Sequence, residues 1–359
     1  MVHFVEIIIF GSLLLLSFLL LTNPFKVNAK ANRWLGVFTF LWSSYWLEEV
    51  VQLATGKSIE VSSFIGISFI QFLAPICFYF GVRYFTNPNY KFTVRSGLYL
   101  VVPAVYLVIL ILQQISSFNY HPILITVVML HASYYIFISY ISIFRHQRQI
   151  KRFASNMQGI DLYWLEYIII VIVALLILFN ILYYKTPLNI IMNLITLVTV
   201  FFVSYNALKQ KEIYPLDKKD REDAISAGQE ETTELPKRKI ISDERLVELK
   251  DQLNELMLKD EPYLDTELDL MNLSKQLQVS SNHLSYVINN GFNENFYSYI
   301  NKFRIEKAKK LLDNKKTNHL SIIGVAYESG FSSKTSFNTT FKKMTGSTPS
   351  EFKKRCSNL

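Results

Sequence analysis

The sequence predicts an all-α protein in two parts: a bundle of seven transmembrane helices, followed by a water-exposed pair of small helix-turn-helix units. Three observations predict it. Half of the 359 residues are hydrophobic and the mean hydropathy is positive, at +0.21, which a water-soluble chain of this length seldom shows. Apolar runs of the bilayer-spanning length, roughly 20 residues, recur through residues 1–209 and then stop. The formal charge of +8 is gathered into a few loops and the C-terminal quarter rather than spread along the chain.

The seven runs are Val2–Thr22, Trp34–Leu53, Val61–Phe85, Val94–Gln113, Pro122–Phe144, Tyr163–Tyr184 and Leu188–Leu208. The first is a retained span rather than a signal peptide. It carries Glu6, has no basic residue ahead of the apolar run, and ends in Asn23-Pro24-Phe25-Lys26 with no small-x-small cleavage site. Loop charge orients the bundle. Lys26, Lys30 and Arg33, then Arg83, Lys91 and Arg95, then Arg145, Arg148, Lys151 and Arg152 occupy alternate connections; the others hold only Lys57 and Lys185. Positive-inside bias therefore places the N-terminus outside and the C-terminus in the cytoplasm, with the bundle in the inner membrane. Trp34 and Trp164 stand at the expected inner interfaces as anchors, and Pro75 and Pro103 are candidate kink positions.

Polar residues within the spans carry the hint of sensing. Glu6, Glu48, Glu49, Asn180, Asn189 and Asn193 fall toward outer ends, whereas Gln71 and His131 lie nearer mid-membrane. Because polar groups at depth are costly unless they face a partner or a polar cavity, Glu48, Glu49, Gln71, His131, Asn180 and Asn193 are candidates for an outward-opening ligand pocket. The alternative is interhelical hydrogen bonding with carboxylates at headgroup level. A retinal-type sensor is excluded, because the seventh span offers lysine only at its ends, Lys185 and Lys209. Cys77 and Cys356 form no disulfide framework or cysteine metal site, and no cofactor or metal is called for.

From Gln210 to Ile241 apolar runs give way to charge, with Pro215, Gly228 and Pro236 breaking any long helix, as in a cytoplasmic tether. Residues 242–359 make up the output domain. Asp243–Leu258 predicts a helix with Leu246, Leu249, Leu253 and Leu256 on one seam, which packs on its own domain or pairs as a coiled coil. Asp243–Asp269 is acidic, with ten carboxylates against Arg245, Lys250 and Lys259. From Leu270 onward the balance reverses to fourteen Lys and Arg against five acids, the electrostatic footprint that contact with phosphates needs.

The reversal coincides with two helix-turn-helix patterns. In the second, Ile322, Ile323, Val325 and Ala326 give one short apolar face, Gly330-Phe331-Ser332-Ser333 the turn, and Phe337 and Phe341 the next face. Ala326 is small where the helices must cross, and Gly330 tolerates positive φ in the turn. In the first, Leu270, Leu273 and Leu277 precede Val279-Ser280-Ser281, and Leu284, Val287 and Ile288 follow; Ser274 is the small residue and Gln278 asks for a strained turn. A helix from Phe296 to Asp313, roughly 27 Å at 1.5 Å per residue, joins them and can hold two recognition helices about one DNA turn apart.

The run Gly330-Phe331-Ser332-Ser333, Phe337, Phe341-Lys342-Lys343 and Gly346-Ser347-Thr348-Pro349-Ser350-Glu351-Phe352 resembles the C-terminal signature of the AraC/XylS family of transcription regulators. Leu284-Ser285, Phe296, Phe303-Arg304-Ile305, Ala308 and Leu311-Leu312 are similar to the first half of the same domain. Ser274 stands where alanine is usual, and Gln278 where a turn glycine is common. The resemblance implies binding to double-stranded operator DNA near promoters and contact with RNA polymerase, without catalysis. The residues on the page name the DNA-contact candidates: Ser281, Asn282, His283, Ser285, Tyr286 and Asn289 in the first unit, and Ser333, Lys334, Thr335, Asn338 and Thr339 in the second. Asn282 and Asn338 suit an adenine edge and Lys334 a guanine, while Lys342 and Lys343 suit phosphate. The expectation is a membrane-embedded regulator, acting as a homodimer and controlled by a small-molecule or envelope signal. Two rivals stand beside it: a regulator anchored by its spans and freed by proteolysis, and a transporter or membrane enzyme with an accessory DNA-binding tail. No His-x₃-His pair, Gly-rich phosphate loop or nucleophile elbow supports the last.

Overall fold

The computed structural model describes residues 2–57, 64–182, 188–214, 222, 240–314, 317 and 319–357. Among them the chain is all-helical, the one strand-like feature being an isolated antiparallel bridge between Ala154 and Asp269. Two compact units emerge: Met1–His146 with Leu162–Ile213, and Gln147–Asp161 with Tyr214–Leu359. Most of the expected tether lies outside the described residues. Its first residues do not behave as one: Gln210, Ile213 and Tyr214 are buried.

The first unit contains helices α1 (Val2–Thr22), α2 (Ala29–Ser43), α3 (Leu47–Thr55), α4 (Ile65–Phe72), α5 (Ala74–Thr86), α6 (Val101–Ile115), α7 (His121–Ile150, its last turn belonging to the second unit), α8 (Tyr163–Leu182) and α9 (Leu188–Lys209). Every expected span is helical where described, but not every one is continuous. Among the described residues, five stretches are long and apolar enough to cross a membrane: His3–Thr22, Ile65–Thr86, Val94–Ile115, His121–Ile150 and Ile190–Lys209. The second expected span is broken between α2 and α3 by a short 3₁₀ turn, Ser44–Trp46. The cause is local: the Ser43 and Ser44 hydroxyls donate back to the carbonyls of Phe40 and Leu41 at 2.7 and 2.6 Å, competing with the helical ladder. The third breaks at Leu73, just before Pro75 enters the first turn of α5, where a missing N–H costs nothing. Pro103 likewise sits in the first turn of α6.

α1 lies against α2 and α9, with Val5, Ile9, Leu13 and Val200 forming one buried cluster. Gly36 is what lets α2 approach, since a Cβ there would meet the Leu21 side chain at 2.9 Å. The outward faces stay apolar: Phe4, Leu15, Phe18, Val105, Leu130 and Phe137 are all exposed.

The second unit holds α10 (Asp243–Lys259), α11 (Leu270–Gln276), α12 (Ser281–Tyr286), α13 (Phe296–Asp313), α14 (Ile322–Glu328), α15 (Lys334–Thr345) and α16 (Pro349–Ser357). Polar side chains cap their starts. Ser242, Asp269, Ser280, Asn295, Ser321 and Ser333 each accept a backbone N–H three residues on, satisfying one orphan amide of α10 to α15. Thr348 and Glu351 form a reciprocal capping box at α16. The α10 seam buries Leu249, Leu253 and Met257 against its own unit, with Leu246 and Leu256 only half-buried. Of the two readings of that seam, the structure takes packing on its own domain.

Candidate nucleic-acid interface

Each helix-turn-helix unit is closed by a small residue at the crossing and a left-handed residue in the turn. In the first, Ser274 is buried, donates to the Met271 carbonyl at 2.9 Å and shares a hydrogen bond with Ser281 at 3.2 Å. Gln278 takes φ 56°, the strained turn its side chain foretold. In the second, Ala326 is fully buried and Gly330 has φ 83°. Glycine is required there twice over, because an added Cβ would also overlap the Tyr263 carbonyl oxygen. Val325, Ala326, Phe331, Phe337 and Phe341 pack with Ile305, Ala308 and Leu312 of α13 into one core. That core fixes α15, the second recognition helix, on the connecting helix. The Tyr297 and Thr340 hydroxyls, 3.0 Å apart, tie the start of α13 to the same helix.

The candidate contact residues divide by burial. On α15, Thr335, Thr339, Lys342 and Lys343 are exposed along one side and Lys334 is exposed at the first position. Asn338 is half-buried, and its Oδ1 has no hydrogen-bond partner among the described residues. Ser333 is half-buried and spends its hydroxyl accepting from Ser336 N at 3.2 Å. On α12, Asn282, His283 and Tyr286 are partly exposed. Ser281 and Ser285 are buried; the first is held by Ser274 and the second accepts from Asn289 Nδ2 at 3.3 Å. Both share the helix face that carries the buried Leu284. α12 is also shorter than its apolar spacing suggested. It ends at Tyr286 and widens into a π-turn over Val287–Gly291, whose Val287 and Ile288 remain buried.

Not all the positive charge faces outward. Arg304, counted in the basic footprint, is 1% exposed. Its guanidinium donates to the carbonyls of Tyr263 (2.7 Å), Asp265 (2.7 Å) and Ser155 (3.2 Å) and to Ser155 Oγ (3.0 Å), and lies 5.9 Å from the centre of the Phe331 ring. Burial lowers its pKa to about 10, which still leaves it charged at neutral pH. Lys307 is bound to Glu261 at 2.9 Å, and Tyr263 donates to the same carboxylate at 2.6 Å. Those two hydrogen bonds hold the Glu261 carboxyl below its ordinary range. Lys302 and Lys309 pair with Glu294 and Glu306.

Three cations in the second unit, Arg148, Lys151 and Arg152, were read from sequence as membrane-loop charge alone. Lys151 is held below the usual ammonium value, first by burial and then by repulsion from Lys343 and Arg148.

The pocket candidates of the first unit fare unevenly. Gln71 and His131 line one cavity of about 460 Å³ walled largely by aromatic rings, among them Trp42, Trp46 and Phe78. The His131 ring stacks on Phe72 at 4.0 Å, and its Nε2 has no hydrogen-bond partner among the described residues. Asn193 accepts from Trp46 Nε1 at 3.4 Å and donates to Glu6 at 2.9 Å, adjoining that wall. Glu48 and Glu49 start α3 and do not line the cavity. The side chain of Asn180 lies outside the described residues.

Residues 273–355 match the family description of a helix-turn-helix domain. An uncharacterized HTH-type transcriptional regulator of Staphylococcus aureus (strain COL) is 34% identical over 103 residues, 29% of this chain and 13% of the relative. A counterpart from strain MSSA476 gives the same figures. The Msm operon regulatory protein of Streptococcus mutans serotype c is 30% identical over 93 residues, 26% of this chain and 32% of that protein. The chain thus spans about an eighth of the length of the staphylococcal relatives it matches. No solved structure matches it. The C-terminal part of this chain is a DNA-binding helix-turn-helix domain of the AraC type, as in transcription regulators.

Proposed function

We propose that the protein is a membrane-embedded transcription regulator whose two helix-turn-helix units read a promoter site in the cytoplasm under the control of a signal received by the helical bundle. The observation that carries the output half is the exposed polar row Thr335, Thr339, Lys342 and Lys343 on a helix whose other face, Phe337 and Phe341, is fully buried, with Lys334 exposed at the helix's first position. This is how a recognition helix is presented: one side locked in a core, the other offering donors to base edges and phosphates. Lys334 stands in the first turn of α15, where base contact is made; Lys342 and Lys343 stand in its last turn and meet phosphate. On α12 the readers are Asn282, His283 and Tyr286.

The exposed apolar faces of the first unit support membrane embedding, since water would penalise them and lipid does not. With alternate loops positively charged, the bundle sits N-terminus outside and the second unit shares the compartment of the chromosome. The aromatic cavity holding Gln71 and His131 is the input site of this reading, and a homodimer contacting RNA polymerase its working form.

Full-length protein in lipid nanodiscs, used to select sites from a random DNA library and then to footprint them, tests the output half. Lys334→Ala is expected to relax preference at one base position by about 1–3 kcal/mol while leaving the rest of the profile intact. An unaltered profile removes Lys334 as a base reader, and failure of the wild type to select any sequence removes the function.

A further inference from the structure

Resting on the reading of the second unit as sequence-specific, we propose that residues 147–161 are the positioning element of the DNA-binding domain. They fix its two helix-turn-helix units relative to each other and supply the covalent route by which the helical bundle governs DNA binding. In sequence these residues merely connect α7 to α8. In the structure they are part of the second unit.

Backbone chemistry shows how they are held. The first amides of a helix have no partner in their own helix and must find one elsewhere. Leu270 N, at the start of α11, donates to the Phe153 carbonyl at 2.8 Å, and Tyr297 N, in the first turn of α13, donates to the Lys151 carbonyl at 2.9 Å. Ala154 pairs with Asp269 in the isolated bridge, and Ser155 Oγ donates to the Leu268 carbonyl. One short segment therefore completes the N-termini of two helices, the first of the leading unit and the connector between units.

Arg304 locks the arrangement. It grips Ser155 through both its carbonyl and its hydroxyl, while Asn301 Nδ2 donates to the same carbonyl at 3.2 Å. Its other bonds go to Tyr263 and Asp265, and its face meets Phe331 in the turn of the trailing unit. Gln158 Oε1 reaches that turn as well, accepting from Ser332 Oγ at 3.1 Å. A span-to-span connection with no other duty would satisfy its polar groups with water; Phe153, Ala154 and Ser155 are instead 3, 7 and 2% exposed.

The geometry leaves no slack. Phe153 follows three residues after Ile150, the last residue of α7, and Tyr163 begins α8 close behind Asp161. A shift or rotation of either helix end is delivered directly to the joint between the two units. The other covalent route, residues 215–239, has the proline, glycine and charge content of a tether.

The test uses full-length protein in nanodiscs and the site selected by the wild type, with one or two base pairs inserted between its halves. Wild-type affinity is expected to fall at least about tenfold on insertion, because both recognition helices must stay in register with the duplex. Ser155→Val should bind the native site at least about tenfold more weakly and respond little to insertion, Gln158→Ala should shift the same way by less, and Ser155→Thr should restore the wild-type profile. Two glycines inserted between Gln149 and Ile150 should change affinity at least about threefold, and an eight-residue Gly-Ser insertion after Gly228 should not. An unchanged spacing profile in both Ser155→Val and Gln158→Ala overturns the positioning role. Should Ser155→Val not fold, Gln158→Ala decides alone, since it alters one partly exposed contact. Equal effects of the two insertions overturn the route. Absence of any selected site would instead strike the DNA-binding reading itself.

Discussion

Arg304 and Gly330 meet at the point where the second unit is least forgiving. The guanidinium satisfies carbonyls of Tyr263, Asp265 and Ser155, and of these residues Tyr263 and Ser155 are buried. Arg304→Ala is expected to cost about 3–5 kcal/mol, from the charge-assisted hydrogen bonds lost and the buried acceptors left unpaired. Gly330→Ala is expected to cost on the order of 3 kcal/mol, combining a left-handed backbone with overlap on the Tyr263 oxygen. Thermal unfolding followed by a reporter in the second unit measures both. Retention of the wild-type midpoint by either variant would contradict the packing described. Gln278 makes the reverse case: it already pays for a left-handed φ of 56° with a side chain in place, so Gln278→Gly is expected to stabilise the domain by about 1 kcal/mol.

At the scale of elements, α10 shows how an apolar seam finds its partner. Leu249, Leu253 and Met257 are buried, and the Lys250 ammonium lies 5.1 Å from the centre of the Phe292 ring just beyond the π-turn. α10 therefore braces the end of the first helix-turn-helix unit. Leu253→Ala is expected to cost about 2–5 kcal/mol, as for other fully buried leucines. If the helix paired with a second copy instead, the loss would depend on protein concentration. Unfolding at two concentrations tenfold apart distinguishes the cases, and a concentration-dependent loss would assign the seam to a dimer.

For the whole molecule, the decisive question is which compartment holds the second unit. Protease added to intact cells is expected to leave an epitope at the C-terminus untouched and to remove it after the inner membrane is opened. Loss of the epitope from intact cells would place the domain outside and end the regulatory reading. The two-part composition makes this test meaningful, because the apolar helices and the cationic output domain belong to one polypeptide.

Short-range physics was legible in the sequence. Apolar period and length marked the helices, and Gly330 and Gln278 marked the two turns, because each depends on residues a few positions apart. The break at Ser43-Ser44 and the π-turn after Tyr286 were not legible, since the same residues also suit an unbroken helix. The inward turn of Arg304, the burial of Ser281 and Ser285, and the passage of residues 147–161 into the second unit were decided by tertiary structure alone. Their partners lie as far as 174 positions away, and a local pattern holds no record of which distant group will need a donor.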